Sequence, residues 1–310
     1  MTEILSEETI NKIKNILKED EIFPKEPMYK HTSFRIGGPA ELFLTPEREE
    51  IRELLELLKG DNIPFVTFGN GSNVLVSDDG IAGVVISTMK MTNVMVDSDK
   101  SIITADAGCS LQRIATEAFM NSLTGMEFAA GIPGSLGGAI FMNAGAYGSE
   151  MKNIVLQVQY IDESGEIRTI GKDNLDFGYR HSYFSSCPGK IIIGATIQLN
   201  QGDKDTIIAY QTELLRKRKE KQPIEYPSAG STFKRPEGYY AGKLIQDAGL
   251  MGYRVGDAQV SLKHAGFVVN LGDASAADVL NLIKHVQDTV YEKFQVRLEP
   301  EVRIIGSDIA

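Results

Sequence analysis

The run "GIPGSLGGAIFMNAGAYG", residues 131–148, puts six glycines into eighteen residues and carries one titratable side chain, Tyr147. In the interior of a helix or strand each glycine costs roughly 0.5 to 1 kcal/mol relative to alanine. A chain that keeps so many together needs them for positive φ, or for the close approach of another group to bare main chain. Two readings meet that need: a flat, polar cofactor packed on the backbone, or a glycine-rich structural loop under a sheet.

A second glycine loop, "GNGSN" at residues 69–73, directly follows the apolar stretch "PFVTF". Successive N–H groups in such a loop can turn toward one point and form a concave anion site, which holds a diphosphate without Lys or Arg. It is not the dinucleotide fingerprint, because GxGxxG should open a helix and "NVLVSDDG" after it has a strand pattern. The same letters also suit a plain hairpin turn.

The formal charge of −10 argues against a general nucleic-acid binder, so any anionic ligand must be met locally. At 310 residues the chain has room for about two domains. Two cysteines, Cys109 and Cys187, form neither a metal spacing nor a disulfide framework, which fits a reduced, cytoplasmic setting and no metal site. Near the N-terminus Ile10, Ile13, Ile16 and Leu17 share one helical face, among too many acids for a signal or transit peptide. No apolar run approaches the roughly 18 residues of a membrane span, so no membrane insertion is expected.

The segment "TPEREEIRELLELLKG" predicts a helix with Thr45 as cap, Pro46 in its first turn and Gly60 as stop. Short strands follow up to "GVVIS", then a strand "IITADAG", and a helix opened by Ser110. Beyond the glycine run come a hairpin turning at Ser164 and Gly165, the strand "KIIIGATIQLN", and a long polar helix from about Asp203 to Gln222. After it the pattern predicts a separate unit: a Ser/Gly loop, a helix at "YYAGKLIQDAGL", a strand "HAGFVVNLG", a helix with Ser275 and Asp278 as capping box, and a final strand "VRLEPEVRIIG". Strands interspersed with helices, without strict alternation, give an α+β architecture.

Several side chains could carry chemistry. Arg180 lies among aromatics in "FGYRHSYFS", where a guanidinium is either a buried ion-pair partner or a carboxylate or phosphate binder. Its neighbour His181 fits a satisfied structural role. Ser231, in "YPSAGSTFKRP", lacks the GxSxG setting of a hydrolase nucleophile and suits proton transfer or a cap. Glu299 and Glu301 stand at strand spacing with Arg303 following, a pattern that also describes a charged surface strand. The basic run Arg216, Lys217, Arg218, Lys219, Lys221 is either a solvated helix face or a phosphate contact ahead of the Ser231 loop.

Taken in order, "HTSFRIGGPA", "GNGSNVLVSD", "GMEFAAGIPGSLGGAIFMNAGAYG", "YRHSYF", "AGSTFKRP", "AGKLIQDAGL", "HAGFVVN" and "LEPEVR" resemble the UDP-N-acetylenolpyruvoylglucosamine reductase family from about Thr32 to Gly306. The resemblance implies an FAD-binding module of the vanillyl-alcohol-oxidase type, made of two α+β subdomains over residues 1–90 and 91–202. A smaller α+β substrate-binding domain would span 203–301, with residues 302–310 returning to the first subdomain. It implies non-covalent FAD, NADPH as hydride donor, and UDP-N-acetylenolpyruvoylglucosamine as substrate. Matching positions give Arg180, Ser231 and Glu301 the catalytic places. The cofactor places fall to Arg35, Gly69, Asn70, Gly71, Ser72 and Asn73, then Gly131, Ile132, Pro133, Gly134, Ser135, Gly138, Ala139 and Asn143. Substrate places fall to Lys221, Tyr179 and Lys234, and a monomer is expected. The connection after "YRHSYF" is short, which resembles the branch without the tyrosine-bearing insertion. Another FAD-dependent oxidase or dehydrogenase of the superfamily, or a non-catalytic nucleotide-binding module, remains the competing expectation.

Overall fold

The structure is a computed structural model that describes residues 4–187 and 189–306. In the first unit the strands Ile22–Pro27, Pro39–Leu44, Ile81–Ser87 and Phe65–Phe68 lie in that spatial order. The first pair is antiparallel and the other two pairs are parallel. Side chains alternate between the two faces of a strand. Leu42, Leu44, Val84 and Ile86 thus meet the helices α1 (Glu7–Ile16) and α2 (Ile51–Gly60), while Phe43 and Val85 join Met28, Phe68 and Val76 on the opposite face.

The α2 helix begins five residues later than its Pro46 signal predicts, at Ile51. Residues 46 and 47 are irregular and 48–50 form a turn, from which the Arg48 guanidinium reaches the second unit and meets Asp106 at 2.5 Å and Gln159 at 2.7 Å. Thr45 therefore caps nothing, and its buried hydroxyl has no hydrogen-bond partner among the described residues.

The second unit is an antiparallel sheet in the order Ile167–Gly171, Val155–Ile161, Ile191–Gln198, Ile102–Asp106, Val94–Asp97. The helices α3 (Leu111–Met120) and α4 (Leu136–Phe141) cover it and bury Ile114, Ala118, Leu136 and Ile140 against Ile103, Val158 and Ile197. Ser110 caps α3 through Arg113 N–H at 3.2 Å. The polar helix α5 (Lys204–Lys221) lies along α3 and the turn Glu127–Ala129, burying Ile207 and Leu214 and leaving most of its surface to solvent.

In the third unit the strands Ser228–Ser231, Phe267–Asn270, Ala258–Val260 and Arg254–Val255 form an antiparallel sheet backed by α6 (Ala241–Asp247) and α7 (Ala276–Phe294). The predicted capping box is present, with Ser275 Oγ accepting Asp278 N–H and the Asp278 carboxylate accepting Ser275 N–H, both at 3.0 Å. The two amides between them, Ala276 and Ala277, donate to Asp78 of the first unit at 2.7 and 3.0 Å. The first helical N–H groups have no partner inside a helix. Satisfying them across the unit boundary therefore fastens the third unit to the first. Asn270 Nδ2 to Phe34 O at 3.2 Å and Ser33 Oγ to Ser228 O at 2.7 Å add to that seam.

The last expected strand differs from its pattern. Gln295 ends α7 in a left-handed conformation, and residues 296–302 run irregularly, tied by one bridge between Phe233 and Pro300. Only Arg303–Ile305 forms a strand, parallel to Val74–Val76. The chain thus crosses from the third unit to the first at Glu301. Residues 307–310 of the returning segment lie outside the described residues. Replacing Asp78 (Asp78→Ala) should lower unfolding stability by about 1 kcal/mol, the usual cost of a lost helix cap, as read by urea denaturation. An unchanged midpoint and slope would show that the seam does not hold the units together.

Candidate active site

Two glycine loops meet side by side. Asn70 Nδ2 donates to Pro133 O at 2.8 Å, and a Cβ on Gly69 would stand 2.3 Å from Ser135 Oγ. At Gly71, φ is +59° and a Cβ would fall 2.0 Å from the His31 carbonyl oxygen, so glycine alone fits there. The N–H groups of Asn70, Gly71 and Ser72 donate to no acceptor among the described residues. The amides that open α4 are occupied, by contrast. Leu136 N–H meets Cys109 O and Gly137 N–H meets Ala107 O, both at 2.8 Å, while Ser135 caps Gly138. Three consecutive unclaimed N–H groups therefore lie in the shorter loop, and Gly131 and Ser135 add two separate ones in the longer run.

Two cavities open between the three units. The larger, about 600 Å³, is lined by Ser72 and Asn73, by Gly131, Ile132 and Pro133, and by Arg35 and Arg218 among others. The smaller, about 360 Å³, is lined by Tyr179, Arg235, Tyr240, Lys263 and His264 among others. Three polar residues face both: Arg180, Ser231 and Glu301.

Each of the three is presented by a different piece of backbone. Arg180 sits in a two-residue turn closed by reciprocal bonds between Gly178 and His181 at 3.0 and 3.3 Å, with φ at 54°. That left-handed conformation costs a side-chain-bearing residue roughly 1 to 2 kcal/mol. Ser231 ends the strand Ser228–Ser231, and its hydroxyl has no partner among the described residues. Glu301 lies in the crossing segment, where its N–H meets Thr232 O at 2.8 Å and its carbonyl accepts Asn73 Nδ2 at 3.1 Å. Arg180 Nε donates to Glu301 Oε1 at 2.6 Å. Burial pushes the Glu301 carboxyl above its ordinary value, and the Arg180 cation pulls it back without cancelling the effect. Arg180 is thus both an ion-pair partner and a donor facing ligand space.

The remaining candidates fall into three groups. Arg35 is exposed at the larger cavity in a left-handed conformation, whereas Gly138 is exposed outside both cavities and Ser135 and Ala139 are buried around α4. Gly134 lines neither cavity and gives its carbonyl to Leu111 N–H at 3.0 Å. Asn143 is fully buried with both ends of its amide bonded to main chain. Among the substrate candidates, Tyr179 lines the smaller cavity and its hydroxyl accepts Arg235 N–H at 3.0 Å. Lys221 lines neither cavity, and Lys234 pairs with Glu299 at 3.3 Å.

Within the basic run, Arg216 and Lys217 pair with Glu213 along the helix surface, while Arg218 turns inward against Gly131. Arg218 makes no ion pair among the described residues, and burial pulls its guanidinium below its ordinary value. Sequence reading placed it in the run without singling it out. His264 was overlooked inside "HAGFVVN". Its Nδ1 accepts Gly266 N–H at 3.1 Å and burial lowers its pKa, which leaves a neutral ring with the proton on Nε2 beside the smaller cavity. No group of His, Cys, Asp and Glu suited to a metal ion occurs among the described residues.

Comparison with known proteins adds to this geometry. A family model described as an FAD binding domain matches residues 39–171, and one described as the C-terminal domain of UDP-N-acetylenolpyruvoylglucosamine reductase matches residues 222–305. A protein of that name from Caldanaerobacter subterraneus subsp. tengcongensis is 51% identical over 307 residues, covering 99% of each chain. The crystal structure of the Thermus caldophilus reductase superposes with a TM-score of 0.78 at 36% identity, covering 92% of this chain and 98% of that one. An alkyldihydroxyacetonephosphate synthase shares the fold over 65% of this chain and 41% of its own, with a TM-score of 0.51 at 14% identity.

The Glu301 environment has a direct test. In a carbon-detected NMR titration its carboxyl midpoint should lie above that of an exposed glutamate, because burial disfavours the anion. Removing the neighbouring cation with Arg180→Met should raise it further. A midpoint that falls in the variant would contradict the assignment of Arg180 as the opposing charge.

Proposed function

The chain belongs to the UDP-N-acetylenolpyruvoylglucosamine reductase family, and from that premise we propose how its own residues divide the reduction of the enolpyruvyl ether to UDP-N-acetylmuramate, a peptidoglycan precursor. The observation that carries the reading is the trio Arg180, Ser231 and Glu301 on the wall shared by two cavities.

The larger cavity fits FAD. Ser72 and Asn73 of the 69–73 loop line it, the unclaimed N–H groups of residues 70–72 beside its wall suit a diphosphate, Gly71 keeps that loop tight against His31, and Gly131 to Pro133 offer bare main chain. FAD held there would, once reduced by NADPH, supply the hydride that the terminal carbon of the enol ether receives. The smaller cavity, with Arg235, Lys243 and Lys263 on its wall, suits the negatively charged uridine nucleotide.

Hydride addition leaves negative charge at the carbon next to the substrate carboxylate. Arg180 binds that carboxylate with donors already fixed in place. Removing one such preorganised donor commonly costs about 2.7 to 4 kcal/mol of transition-state stabilisation. Glu301 orients the guanidinium through the 2.6 Å bond, and if protonated it can hydrogen-bond the same charge. Ser231 Oγ delivers the proton to the carbon, a positioned step worth roughly 100- to 10,000-fold. The nucleotide substrates and the two free thiols Cys109 and Cys187 favour the cytoplasm.

With Ser231→Ala, reduction of the bound FAD by NADPH should stay within about twofold of the parent, while reoxidation by UDP-N-acetylenolpyruvoylglucosamine falls by roughly 100-fold or more. Stopped-flow absorbance separates the two steps. Equal losses in both would remove Ser231 from the proton-donor role.

A further inference from the structure

The buried Asn143 stands at a position where backbone geometry favours glycine. It follows α4, its φ is 46°, and the helix closes there with Ala144 N–H on Ala139 O at 2.8 Å and Asn143 N–H on Ile140 O at 3.2 Å. That pair of bonds defines a helix stop whose left-handed residue is usually glycine. The surrounding run uses glycine freely, so an asparagine at this point signals a side chain that is needed. Its amide is occupied at both ends. Oδ1 accepts Lys152 N–H at 2.9 Å, and Nδ2 donates to Gly178 O at 2.9 Å.

Gly178 O is the carbonyl that also accepts His181 N–H to close the turn carrying Arg180. The turn holds Arg180 in a left-handed conformation that its side chain disfavours, so surrounding contacts must impose it. A second strut lies close by, where the fully buried Ser182 donates through Oγ to Phe141 O at 2.7 Å. Both struts rise from the C-terminal end of α4, within the glycine-rich run.

We infer that Asn143 is a positioning residue for the reaction: its bond to Gly178 O fixes the strained turn that aims the Arg180 guanidinium at the shared wall of the two cavities. This rests on the proposed catalytic role of Arg180. It assigns Asn143, which lines neither cavity, to mounting the arginine rather than to contacting the cofactor.

Asn143→Asp keeps the acceptor for Lys152 N–H and removes the donor to Gly178 O, while Asn143→Gly removes the side chain and suits the backbone. In both, FAD occupancy and reduction by NADPH should stay within about twofold of the parent, with reoxidation by substrate slowed by roughly tenfold or more. Misplacement of a reacting group by about 1 Å can cost on the order of 100-fold. In the cofactor-free protein the NMR resonance of the Arg180 Nε–H, bonded to Glu301, should move in each variant.

A double-mutant cycle with Arg180→Lys distinguishes positioning from general damage. If Asn143 acts through Arg180, the double variant Asn143→Asp/Arg180→Lys reoxidises no more slowly than Arg180→Lys alone. Losses that multiply, or an Asn143→Asp enzyme that reoxidises at the parent rate, would overturn the inference. An Arg180→Lys enzyme with the parent rate would instead overturn the catalytic reading beneath it.

Discussion

The ion pair between Arg180 and Glu301 organises the centre of this molecule. Its two members come from different units, one on a tight turn of the second and the other on the segment that crosses from the third unit to the first. A partly buried pair is costly to desolvate and depends on good geometry. The structure supplies that geometry through backbone. Thr232 O and Asn73 Nδ2 hold the main chain of Glu301, and Asn143 and Ser182 hold the turn of Arg180. Asn73 and Asn143 belong to the two glycine loops, so the pieces that shape the larger cavity also fix the charges at its end.

The glycine-rich run divides into parts with different work. Gly131 to Pro133 face the larger cavity, while Gly137 packs so closely on Ala107 that a Cβ would stand 3.1 Å from the Ala107 side chain. Tyr147 and Gly148 make a hairpin tip with both residues at positive φ. Facing the cavity and internal packing are therefore not rival explanations of the run. Three consecutive unclaimed amides lie in the 69–73 loop, at residues 70–72.

Much of the fold was legible because local patterns and tertiary packing agree. The Ser110 cap, the Ser275–Asp278 box and the Ser164–Gly165 hairpin stand where the letters put them. The failures occur where a distant partner overrides a local signal. Pro46 announces a helix, but Arg48 is recruited by Asp106 and Gln159, and α2 waits until Ile51. The alternation in "VRLEPEVR" predicts one strand, but Pro300 and the crossing between units leave Glu299 with Lys234 and send Glu301 inward.

The site shows the same division. Arg180, Ser231 and Glu301, singled out through residue type and ordered blocks, come together on the wall shared by the two cavities. Arg218 and His264 were not singled out, because which member of a basic helical run turns inward, and which ring nitrogen is tied by a neighbouring amide, depend on packing. Asn143 was found and given a different task, since its buried bonds to Lys152 and Gly178 carry no sequence signature.

The central claim is that one wall, made of Arg180, Ser231 and Glu301, separates a cofactor cavity from a nucleotide cavity. A crystal structure of the FAD-loaded protein with UDP-N-acetylenolpyruvoylglucosamine tests it most directly. The account predicts FAD in the larger cavity with its diphosphate on the amides of residues 70–72, uridine in the smaller one, and the substrate carboxylate on the Arg180 guanidinium. A complex with the carboxylate held away from Arg180, or with both nucleotides in the same cavity, would contradict it.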